Sequence, residues 1–194
     1  MNFITINEIV QIILVSVILG YIFSGFIKKP WKKNKDPLYA YQRSFFDWDN
    51  LKFAILVSAP AVILHELGHK FMALSFGLPA KFNAFWGGLG LGVFLKIINA
   101  PFLILAPAYV SFPSVGVANY QMVLIAFAGP FINLVLWLGA KYYIKKNRKK
   151  LSQKQFYTLL IIEKLNLWLF IFNMLPFPPL DGFHIYSNLY QMIF

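Results

Sequence analysis

The stretch "VILHELGHKFMAL", residues 62–74, sets two histidines and a glutamate inside an otherwise apolar run. On a soluble helix those three residues mean little. At membrane depth ionisable groups are costly and mark function. The surroundings decide between the two readings. Of 194 residues, 59% are hydrophobic and only 13% charged, with a mean hydropathy of +0.62. A soluble domain carries about a quarter charged residues. No charged residue falls between Ile9 and Ile27, or between Ile97 and Ala140. A crossing helix needs roughly 20 apolar residues, so both stretches are long enough, and the composition is that of an integral membrane protein.

Working outward, four spans are predicted. The first covers about 6–27 and ends at Lys28, Lys29 and Pro30; the second, about 51–76, carries the quoted motif and closes at Gly77 and Pro79. A third covers about 119–143 and runs into "KKNRKK" (145–150). A fourth, about 155–175, stops at "LPFPPLDG" (175–182), where three prolines forbid a continuous helix. The last residues, 183–194, are too few to cross and suit a terminal interfacial helix. The segment 78–118 is apolar but broken by Gly87, Gly88, Gly90 and Gly92 and by Pro101, Pro107 and Pro113. Non-helical backbone is tolerated at membrane depth only when buried in protein or lining a wet cavity. A re-entrant strand or hairpin with a short helix fits this segment, the alternative being a fifth crossing helix at about 89–106. The expected fold is an all-α polytopic membrane protein of four to five transmembrane helices, with a membrane-embedded re-entrant or β-hairpin segment at about 78–118. The organisation is one domain, 1–194, with its core at 51–186 and 6–27 as an additional N-terminal transmembrane helix. That first segment lacks a basic leader and an A-x-A site, so a retained helix is expected rather than a signal peptide.

The net charge of +11 is concentrated. Five lysines lie in "KKPWKKNK" (28–35) and seven basic residues between Lys141 and Lys154. In a chain this apolar, such clusters are loops held against the anionic headgroups of the lipid bilayer, and no nucleic-acid partner is implied. If 78–118 re-enters without crossing, both clusters share one side, the cytoplasm by the positive-inside rule. The absence of cysteine excludes disulfides and thiolate metal ligands.

His65-Glu66-x-x-His69 has the spacing of a metal site. Residues four apart on a helix differ by about 40° in direction, so both imidazoles project from one face. Neutral imidazole nitrogens suit zinc, and Glu66, beside the first ligand, is placed to take a proton from water at the metal. A catalytic zinc takes a third protein ligand. Of seven acidic residues, Glu8, Asp36, Asp47 and Asp49 lie in polar segments or near an end. Glu163, Asp181 and His184 remain as candidates. Asp181 is favoured: it is the sole charged residue after Lys164, it follows the stiff "PFPPL", and Gly182 permits a sharp turn. Glu163 stands beside Lys164 near the start of its helix, where snorkelling explains both.

"HELGH" (65–69), "AGPFIN" (128–133) and "NMLPFPPLDG" (173–182) resemble, in order and placement, the three signatures of the site-2 protease family of intramembrane zinc metalloproteases. "PAYVSFP" (107–113) is similar to its small prokaryotic branch without a PDZ domain. The resemblance covers roughly 51–186. It implies one Zn²⁺ per chain on His65, His69 and Asp181, with Glu66 activating water and Asn173 in an oxyanion-type catalytic role. It implies that Asn133 and the Gly129-Pro130 kink shape the helix around the site. The glycine-rich 86–92 stretch corresponds to the family's membrane-embedded β-region, where an unwound substrate could pair. Asn133, Gly87, Gly88 and Gly90 are accordingly the expected substrate-binding positions. The implied partner is a transmembrane protein or peptide substrate, and the implied location a prokaryotic cell membrane, crossed several times. Two features depart from the family. Phe183, followed by His184, replaces a second glycine after "DG". The charge rule also turns both metal-binding motifs toward the outer face, whereas the family's zinc lies toward the cytosol. Two rival functions use the same residues: a non-catalytic membrane scaffold derived from the protease, and a metal transporter.

Overall fold

A computed structural model of the chain describes residues 3–27, 29, 47–100 and 107–194. The elements in chain order are α1 (Ile6–Phe23), α2 (Trp48–Ser75), β1 (Lys81–Ala84), α3 (Trp86–Ile97), β2 (Ala108–Ser111), α4 (Asn119–Asn147), α5 (Gln153–Asn173) and α6 (Asp181–Ile193). Among the described residues four helices are long and apolar enough to cross a membrane: α1, α2, α4 and α5. They coincide with the four predicted spans to within a few residues. Each of three starts on a side-chain cap that satisfies an amide with no helical partner. Thr5 and Glu8 form a capping box on α1, Asp47 accepts from the Asn50 amide on α2, and Ser152 with Gln155 opens α5.

Burial ranks the helices. In α2, 61% of the apolar window is buried, against 11% in α5, so α2 is the inner helix and α5 the least enclosed of the four. Helices α1 and α2 run antiparallel. The Asn50 side chain at the start of α2 donates to the carbonyls of Ser24 and Ile27 past the end of α1, while Glu8 at the start of α1 pairs with Lys70 near the end of α2. Where α2 meets α4, Gly68 leaves room for the α4 backbone: a Cβ there would stand 2.8 Å from the Ala128 carbonyl oxygen. Small residues at such crossings let transmembrane helices approach closely.

The segment 78–118 is a hairpin with a helix inserted between its strands. β1 pairs antiparallel with β2, Phe82 opposite Val110 and Ala84 opposite Ala108. The 12-residue α3 rises about 18 Å, well short of the roughly 30 Å hydrocarbon layer, so it is not a fifth crossing. The expected glycine-rich strand is corrected here: Gly87, Gly88 and Gly90 lie in α3, and the strands are formed by the flanking residues. Val15 and Leu19 of α1, Val62 and Ile63 of α2, Phe82, Leu89 and Ala108 share one apolar core, which seats the hairpin on the first two helices. The positions 101–106 of the alternative fifth helix lie outside the described residues, as does the run 28–35 apart from Lys29.

Candidate metal centre

His65 and His69 stand one turn apart on the inner helix and both side chains are buried. Each is held from behind. His65 Nδ1 lies 2.7 Å from Asn133 Oδ1, and His69 Nδ1 lies 2.7 Å from the Ile125 carbonyl oxygen, both on α4. These partners fix the tautomers. Ile125 O can only accept, so His69 Nδ1 carries the hydrogen. The Asn133 amide nitrogen donates to the Ala61 carbonyl and to Asn166 Oδ1, each at 3.0 Å. Asn166 in turn donates to the Ile162 carbonyl at 2.8 Å. Both backbone carbonyls accept only, so Asn133 must present its oxygen to His65, and His65 Nδ1 donates to it. Orientation of a ligand imidazole by the hydrogen bond of its other nitrogen is the usual device at metal sites.

Both Nε2 atoms therefore carry lone pairs, and they face each other at 3.1 Å. Asp181 closes the triangle. It is the first residue of α6, and its oxygens stand 3.1 Å from His65 Nε2 and 3.4 Å from His69 Nε2. Asp181 Oδ2 is one of two buried side-chain polar atoms among the described residues with no hydrogen-bond partner. Acceptors from three side chains, turned on one another, call for a cation among them. Metal–ligand bonds of about 2.0–2.1 Å in tetrahedral array put ligand atoms about 3.3 Å apart; the 3.1 Å between the two Nε2 atoms fits, and a different Asp181 oxygen faces each of them. Among the described residues this is the one group of three or more His, Cys, Asp or Glu side chains able to share a metal.

Two glycines make room for this cluster. A Cβ on Gly129 would stand 2.3 Å from His69 Nε2 and 2.7 Å from His65 Nε2. One on Gly182 would stand 2.4 Å from the Leu175 carbonyl oxygen. Gly182 was expected to supply a turn; it is helical, and what the site needs from it is space for α6 to close against the end of α5.

The cluster opens on a cavity of about 580 Å³, lined by Glu66, Asn173, His184 and the β2 residues 108–110 as well as by His65, His69 and Asp181 themselves. Glu66 and Asn173 both line this cavity. His184 lines the cavity but is not one of the three converging donors, and Glu163 is engaged with Lys164 at 3.7 Å. Asn133 is wholly buried behind His65, which fits the helix-shaping role and corrects the expectation of substrate contact. Gly87, Gly88 and Gly90 do not line the cavity. Sequence reading missed Asn166, which ends the hydrogen-bond chain behind His65. An asparagine in an apolar span was its only signal.

A buried cluster of two histidines and one carboxylate, in a bundle of helices long enough to cross a membrane, is a candidate metal site. The sequence profile of Peptidase family M50 matches residues 140–194, the part that holds Asn173 and Asp181. The chain is also similar to a protein of Methanocaldococcus jannaschii named "Putative zinc metalloprotease", with 32% identity over 143 residues that cover 71% of this chain and 73% of that one. A Synechocystis protein of the same description is 29% identical over 140 residues, covering 72% of this chain and 31% of that longer protein. No solved structure matches the chain. The chain belongs to peptidase family M50, the site-2 protease family of zinc metalloproteases.

Proposed function

We propose that this protein is an intramembrane zinc metalloprotease, hydrolysing peptide bonds within or near transmembrane segments of membrane proteins. The observation that carries the reading is the convergence of His65, His69 and Asp181, from two separate segments, on one point beside Glu66. His65, His69 and Asp181 would hold one zinc ion per chain. Zinc bound there would supply a Lewis acid for the scissile carbonyl and lower the pKa of a water to about 7. The remaining work falls to the chain. Glu66, in the same cavity, receives the proton of the attacking water and passes it to the departing amine nitrogen, the part of a general base turned acid. Asn173 lines the cavity from the last turn of α5, and its amide would donate to the oxygen on which charge develops.

Substrate recognition follows from the sheet. In an antiparallel pair, alternate residues turn their N–H and C=O groups away from the partner strand. The Phe85 amide bonds the Pro107 carbonyl, so by alternation Ala108 and Val110 direct theirs to the outer edge of β2. These residues line the cavity. A substrate helix unwound at the scissile bond would add to this edge as a further strand. The test is zinc analysis of purified protein with a cleavage assay on a model transmembrane peptide. Wild type is expected to bind one zinc and to cleave; Glu66→Gln is expected to keep the metal and lose cleavage. Cleavage by the purified variant refutes the assigned base, and protein without zinc returns the scaffold reading.

A further inference from the structure

The conspicuous buried charges away from the metal are Glu8 of α1 and Lys70 of α2, whose side chains are 5% and 1% exposed. They form an ion pair. An isolated pair would need only each other, yet the Glu8 carboxylate is shared further. One oxygen also accepts from the Phe82 amide of β1 at 2.7 Å, and the other from the Thr5 amide at 2.7 Å. One turn on, Gln11 Oε1 accepts from the Ala84 amide at 2.7 Å. Glu8 and Gln11, three apart, share a helix face. Phe82 and Ala84, two apart, direct their amides to the same strand edge. The two oxygens therefore take, in order, the outward amides of β1, as a neighbouring strand would. Farther along α1, Lys96 of α3 donates to the Tyr21 carbonyl and, at 2.7 Å, to Ser24 Oγ. Helix α1 thus holds β1 near its start and the inserted α3 near its end.

We propose that Glu8 and Gln11 are positioning residues for substrate: they occupy the outer edge of β1 and so hold the hairpin with the open edge of β2 beside the metal centre. The inference rests on the β2 edge being the substrate strand, as set out above. Neither residue touches the reacting atoms. They act through β1 and its pairing with β2. An unfastened β1 edge would also be a second template for strand addition, and α1 removes it.

The decisive variants are Gln11→Leu, which removes the acceptor at similar size, and Gln11→Glu, which keeps one. In zinc-loaded protein in phospholipid nanodiscs, Gln11→Leu is expected to speed deuterium exchange of the Ala84 amide by about two- to tenfold, as loss of one hydrogen bond implies. Zinc content stays unchanged. KM for a single-span model peptide rises by a similar factor with kcat within about twofold, and Gln11→Glu restores both readouts. A general loss of packing would instead lower kcat and zinc occupancy together. Affinity for the uncleaved peptide, measured in a Glu66→Gln background, separates the two proposals. If wild type cleaves nothing, the protease reading fails. If Gln11→Leu in that background binds the peptide as tightly as Gln11, or Ala84 exchange is unchanged, the positioning role is overturned.

Discussion

Gly129→Ala tests the centre with a single methyl group. The added Cβ would sit 2.3 Å from His69 Nε2, 2.6 Å from His69 Cε1 and 2.7 Å from His65 Nε2, where ordinary contact begins at 3.4 Å. Neither ring is free to retreat, because each is tied through Nδ1 at 2.7 Å to an acceptor on the same helix as Gly129. The conflict must be relieved by α2 and α4 moving apart or by a rotated imidazole, and either misaligns a donor nitrogen. Overpacking of this kind costs about 1–3 kcal/mol. Charged to the metal-bound state, that is about a 5- to 150-fold loss of zinc affinity. The assay is competition for zinc against a chromophoric chelator in detergent, with metal content measured on the same samples. Gly139→Ala is the control on the same helix, since a Cβ there meets nothing within 4 Å. It is expected to bind zinc as wild type does and to stabilise the helix slightly. Zinc affinity within twofold of wild type in Gly129→Ala would refute the convergence of the two Nε2 atoms on one ion.

Two further outcomes follow from the hydrogen bonds. Asn133→Ala leaves His65 Nδ1–H without its acceptor in a buried site, and loss of such a partner lowers metal affinity by about 10- to 100-fold; the same chelator competition reads it, with Asn166→Ala expected to have a smaller effect. Glu8→Ala strands the buried Lys70 ammonium and is expected to destabilise the protein by about 3–5 kcal/mol. The pair Glu8→Gln with Lys70→Met, which keeps an acceptor for the Phe82 amide without buried charge, should recover most of that loss in thermal unfolding.

Much of this site was legible because apolar composition makes its polar residues few. Once the spans were placed, two histidines and a glutamate at helical spacing could be weighed as a metal motif, and Asp181 stood out as the last acidic residue in the chain. What composition could not reveal were distances between elements remote in sequence. Gly129 and Gly182 are required by side chains and carbonyls on other segments, so "AGP" and "DG" read as a kink and a turn when the need is space. Glu8 was set aside as an acid near a helix end; it is there, but β1 and Lys70 arrive from more than 60 residues away to bury it. The glycines of 86–92 failed as a strand for the opposite reason. Membrane surroundings favour internally bonded backbone, and in α3 these residues bond locally while the strands fall to the less conspicuous 81–84 and 108–111.

The inserted hairpin also explains why the two motif helices can meet. His65 and His69 belong to the second half of α2, whereas Ile125, Gly129 and Asn133 belong to the first half of α4. For these halves to lie side by side, the chain must leave α2 and enter α4 on the same face of the bundle. A crossing segment at 78–118 would carry the start of α4 to the far face and set its first half against the wrong end of α2. The short α3 avoids that, and the site itself is therefore an argument for re-entry. The same connectivity sends the end of α1, the start of α2, the end of α4 and the start of α5 to the other face. There Lys29 bonds Asn50 through its amide, and Lys145, Lys146, Arg148, Lys149 and Lys150 follow one another. These basic groups thus collect on the face opposite the hairpin, where a bilayer with anionic headgroups would hold them.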